Sequence, residues 1–159
     1  MSEPENQTST TPFWRFSLHF YRQAGVSDAC IALQDEYGTD VNLFLFLMWL
    51  AAGSRQLSET DVKTLDDKVR NWRNLTIIPI RDARRKLKGA PTLVEPGKQE
   101  ALYAVTKSGP LGRQAAPSVA ARGNVAAYER VLDVTFPKTS LELLFGAFDG
   151  IEHGAFAGR

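Results

Sequence analysis

Arg81, Arg84, Arg85 and Lys88 in "PIRDARRKLKG" stand at i, i+3, i+4 and i+7, so a helix carries all four on one face. Guanidinium groups pair with carboxylates and phosphates bidentately, so a stripe of this kind suits anion recognition. The apolar line Ile77, Ile80, Leu87 falls on a different face. Two protein-level readings stay open. The stripe is a solvated face near a helix C-terminus, where the dipole favours cations, or it meets the acidic surface of a protein partner. Nucleic acid is a weaker third reading, because the chain lacks a large basic field with exposed aromatics.

A second group surrounds "DVNLFLFLMWLAA". Asn42, Phe46 and Trp49 lie along one helical stripe, and Gln34 and Asp40 precede them. Together Gln34, Asp40, Asn42 and Trp49 could form a small-molecule or enzymatic pocket, polar at the mouth and aromatic inside. The structural alternative makes Asp40 the helix cap and sets Asn42 in the first turn, where it meets loose amides. For Asn42 the capping role is the favoured one.

Other chemistry lacks its parts. His19 and His153 are the only histidines and stand in unrelated contexts, with no metal-ligand spacing around them. There is no phosphate-binding loop, dinucleotide glycine pattern or nucleophile elbow. Carboxylates brought together by folding are the remaining catalytic route. The reading is therefore non-catalytic, with no cofactor and no metal implied.

These residues need helices to hold them. Thr11-Pro12 opens a first helix through Phe13, Phe16 and Phe20, and a second runs from about Ser27 to Gly38. The third, 40–52, is apolar on every face and belongs at the centre of a bundle. It would span only about 18 Å, short of the roughly 20 residues that cross a bilayer, so no membrane role is expected. A fourth helix starts at Ser58, where Ser58-x-x-Asp61 imitates a capping box. Beyond Pro79 and the loop 89–97, helices are expected at 98–107, 119–132 and 139–148, broken by "SGPLGRQAAPS" at 108–118. No alternating pattern persists, so the fold expected is all-α, a bundle of about six to eight helices.

The domain plan is a disordered tail at 1–11, one helical domain over 12–148 with its core at 12–89, and a flexible tail at 149–159. With 43% hydrophobic and 23% charged residues and a net charge of +1, the chain of 159 residues is balanced as a globular protein. Any attraction to polyanions must then come from a local patch. The single cysteine, Cys30, excludes an internal disulfide and fits a cytoplasmic location, as does the lack of a signal-peptide pattern.

The stretches "FWRFSLHFYRQAGVSDACIALQDEYGTDVNLFLFLMWLA" and "WRNLTIIPIRDARRKLKG" resemble an uncharacterised proteobacterial family, domain of unknown function 2390. Leu33-Gln34-Asp35, Gly38, Asp40 to Leu43, Trp49-Leu50, Trp72, Pro79 and Arg81 to Arg85 carry the likeness, and 121–132 resembles the family's final helical segment. The resemblance implies an all-helical fold and names no reaction, cofactor or partner.

Overall fold

Thr11 caps the first helix, its Oγ1 accepting the Trp14 amide at 3.0 Å, and Pro12 takes the first helical position. The computed structural model describes residues 11–72 and 94–156, apart from the Trp72 side chain. The expected tail before Thr11, the Pro79 break and its apolar stripe, and most of the loop 89–97 lie outside the described residues.

Seven α-helices are described: α1 Pro12–Tyr21, α2 Val26–Tyr37, α3 Val41–Ala52, α4 Glu59–Trp72, α5 Pro96–Val105, α6 Pro117–Leu132 and α7 Lys138–Asp149. The fold is all-α, as the helical periodicity implies. Gly38 ends α2 in the left-handed region at φ 73°, a conformation costly for any residue with a Cβ. The expected capping box forms at α4: the Ser58 amide donates to Asp61 Oδ2 at 3.2 Å, and the Asp61 amide to Ser58 Oγ at 3.1 Å.

All twelve residues of α3 are buried, and it packs against α1, α2, α4, α5 and, most extensively, α6. Its uniform hydrophobicity is thus the mark of a central helix enclosed on all sides. No helix among the described residues is long and apolar enough to cross a membrane.

One feature lies outside the helical plan. Arg55–Gln56 (β1) pairs antiparallel with Arg113–Gln114 (β2), inside the segment expected to be a break. Strands of two residues have no period to read, so the pattern could not announce them. Asn124 of α6 fastens this corner to the core. Its Oδ1 accepts the Leu57 amide at 2.7 Å, and its Nδ2 donates to the Leu47 and Arg55 carbonyls at 2.9 and 3.2 Å. At the other end, the 3₁₀ turn His153–Phe156 docks on α1 and α3.

Candidate functional site

Two places gather functional groups, and α3 connects them. The first is at its N-terminus. Asp40 caps α3, with Oδ1 accepting the amides of Asn42 at 2.9 Å and Leu43 at 3.2 Å. Its Oδ2 accepts from Lys98 Nζ at 2.8 Å, the two side chains being 4% and 0% exposed. Tyr128 of α6 is buried beside them, its hydroxyl accepting the Asp40 amide at 2.9 Å. Lys98 lies in the first turn of α5, where a helix dipole disfavours a cation. Its placement therefore answers to Asp40 and not to its own helix.

Asn42 corrects the capping expectation. Asp40 already occupies the cap, with extended backbone at φ −89° and ψ 117°, whereas Asn42 is inside the helix and its side chain turns to a neighbour. Asn42 Oδ1 accepts the amide of Glu95 at 2.9 Å, across 53 residues of sequence. It also accepts from Gln99 Nε2 at 3.4 Å. Gln99 and Ser17 of α1 exchange hydrogen bonds at 2.9 and 3.2 Å. Asn42 does meet a loose amide, but one that belongs to the start of α5. These polar groups bind three helices to one another, and none of them lines the cavity described below.

That cavity is the second place. It measures about 440 Å³, within the ~300–1,000 Å³ range of small-molecule sites. Trp49 of α3, Tyr103 of α5 and Phe156 of the C-terminal turn form its aromatic walls, with Leu111 from the loop before β2. The Trp49 and Tyr103 rings lie 5.6 Å apart. Trp49 Nε1 donates to the Phe156 carbonyl at 2.9 Å, which satisfies the indole and pins the turn. Arg55 and Lys107 supply the positive charge. The Arg55 fork is set by its bonds to the Leu111 and Gly112 carbonyls, at 2.7 and 2.6 Å.

The structure thus joins Asp40 and Asn42 at one end of α3 and sets Trp49 at the other. Gln34 lies part-exposed on α2 and takes no part in either group. Arg81, Arg84, Arg85 and Lys88 lie outside the described residues. Of the histidines, His19 rests against Phe156, with ring centroids 5.5 Å apart. His153 stacks on Phe148 at 4.4 Å and donates from Nε2 to the Phe148 carbonyl at 2.8 Å. Both rings brace the C-terminal turn. Burial pushes the Cys30 thiol up to about 12, which leaves little thiolate for nucleophilic chemistry. Among the described residues no group of acids, histidines or cysteines could hold a metal ion.

Sequence reasoning missed Lys98, Gln99, Tyr128, Arg55, Tyr103, Lys107 and Phe156. Only Lys98 carried a local signal, a cation placed against the dipole just after Pro96-Gly97. The others acquire their roles from contacts distant in sequence.

Residues 12–108 match the family described as protein of unknown function (DUF2390), and the chain belongs to that family. The matched span holds Ser17, Asp40, Asn42, Lys98 and Gln99, together with Trp49, Arg55, Tyr103 and Lys107 of the cavity. It ends before Leu111, Tyr128 and Phe156 and short of 121–132. No curated protein and no solved structure matches the chain.

Proposed function

We propose that this protein is a non-catalytic binding domain whose ligand is a small molecule with a flat apolar body, seated between α3, α5 and the C-terminal turn. The observation that carries the reading is the cavity of about 440 Å³ with Trp49, Tyr103 and Phe156 as walls. Aromatic walls on a concave surface offer a flat ligand both burial and ring contact. The polar centre at Asp40 and Lys98 serves this site indirectly, by fixing how α3 and α5 meet. Titration with 2-naphthylmethanol, a neutral flat probe, should change tryptophan emission saturably, and Trp49→Phe should abolish most of that change. Absence of saturable binding at millimolar probe would end the reading.

The spacing of Arg81, Arg84, Arg85 and Lys88 supports a second reading, a surface for an acidic protein partner. Reversing charge with Arg84→Glu and Arg85→Glu should abolish capture of such a partner. Undiminished capture by the double variant removes it.

A further inference from the structure

Among the described residues no aspartate or glutamate lines the aromatic cavity, yet Arg55 and Lys107 both do. Lys63, Arg70, Arg122 and Arg130 on the same molecule each hold a carboxylate within 4.0 Å. Arg55 and Lys107 form no ion pair with any described residue. Arg55 uses Nε and one Nη2 proton on the Leu111 and Gly112 carbonyls, so its plane is fixed while its remaining donors stay open. Lys107 Nζ stands 6.0 Å from the centre of the Tyr103 ring. A fixed guanidinium and an exposed ammonium thus sit at a cavity with aromatic walls and no acid among the described residues.

We propose that the natural ligand is an apolar carboxylate, its flat body against the wall formed by Trp49, Tyr103 and Phe156 and its carboxylate on Arg55 and Lys107. The assignment rests on the cavity being the ligand site and adds the ligand's charge to it. An amphipathic monoanion suits both halves of the surface, because the rings take the body and the two cations take the head. A neutral ligand would leave the charge of Arg55 to solvent and to the Leu111 and Gly112 carbonyls. Charge-assisted hydrogen bonds are roughly twice as strong as neutral ones, which separates the two ligand types.

The test compares 2-naphthoate with 2-naphthylmethanol by calorimetry on the full chain. Naphthoate should bind on the order of tenfold more tightly. The ratio should fall toward one in Arg55→Gln and fall partway in Lys107→Gln. Lys107 is exposed, so its variant keeps the test valid if Arg55→Gln disturbs the 111–112 loop. Equal affinities for the two probes in the unaltered protein would overturn the carboxylate assignment and leave the cavity reading standing. A preference that survives in both variants would also overturn it. If neither probe binds, the cavity reading fails and the assignment falls with it.

Discussion

Replacing Lys98 by Met isolates the part of the polar centre that is electrostatic. Methionine is unbranched, apolar and adaptable, so it fills most of the space of the lysine stem and removes the charge. Asp40 would then stay buried, its Oδ1 still held by the Asn42 and Leu43 amides and its Oδ2 without the ammonium at 2.8 Å. Breaking a buried pair by removing one partner typically costs ~3–5 kcal/mol, chiefly through the charge left behind. With side chains 0% and 4% exposed, this pair belongs at that end of the scale and not with surface pairs at ~0–1 kcal/mol. For a chain of this size the loss corresponds to a fall in Tm of roughly 6–20 °C. Urea unfolding followed by circular dichroism measures it, with Asp40→Asn and the double variant completing a cycle. The coupling should be large, with the double variant recovering much of the stability lost by Lys98→Met alone, since a neutral amide can still accept the two helix amides. A loss below about 1 kcal/mol, or strictly additive changes, would refute the view that the two charges hold one another in a dry interior.

Asn124→Ala strips the Leu57 amide and the Leu47 and Arg55 carbonyls of their partner and should cost about 2–3 kcal/mol in the same unfolding assay. Gly112→Ala meets two obstacles, a left-handed φ of 67° and the Gln56 carbonyl in the path of its Cβ, and should lose at least about 2 kcal/mol. Cys30 rises from its ordinary 9 to about 12 through burial, so the unfolded chain releases this proton first. Its contribution is complete below pH 9 and is lost as pH climbs toward 12, and Cys30→Ala should flatten that part of the stability curve. A fluorescent single-stranded oligonucleotide should bind weakly, with little response to salt; affinity falling steeply with salt would instead move Arg81, Arg84, Arg85 and Lys88 to a nucleic-acid role.

The sequence was most readable where one residue's type fixes the local backbone. Thr11-Pro12, the box at Ser58 and Asp61, Gly38 and the uniformly apolar 41–52 each act within a turn or two, and each appears where the pattern places it. Long-range polar pairing had no such signature. Asn42 was visible as an interruption, but its partner amide belongs to Glu95, and nothing near Asn42 points there. Lys98 is the sharper case. Its place against the helix dipole is a hint of something unusual, but only the fold brings a carboxylate to it. The cavity was legible in one wall, Trp49, because that residue lies on the Asn42–Phe46 stripe. Tyr103, Phe156 and Arg55 come from three other segments, so their convergence depends on helix packing that residue spacing does not encode.

That packing has a direction, and the direction connects the two centres. Asn42 meets Glu95 and Gln99, while Trp49, two turns later on α3, meets Tyr103, one turn later on α5. The helices therefore run the same general way, polar at their starts and aromatic toward their ends. Leucine-like surfaces alone would tolerate sliding of one helix along another, since such contacts are non-directional. A slip of one turn on α5 would carry Tyr103 about 5.4 Å along its axis, away from Trp49 and out of the cavity wall. The Lys98–Asp40 pair at 2.8 Å and the Asn42–Glu95 bond at 2.9 Å oppose that slip, because each ties a fixed point of α3 to one at the start of α5. A buried ion pair is weak evidence for stability, since apolar replacements often do as well. What it adds in this fold is register: it sets the polar ends of α3 and α5 so that Trp49 and Tyr103 meet, their rings 5.6 Å apart, in one wall of the cavity. The double variant Asp40→Asn with Lys98→Met separates the two roles. It should regain stability while binding 2-naphthylmethanol less tightly, and full binding in a restored fold would show that the remaining contacts, the Asn42–Glu95 bond among them, hold the register without the ion pair.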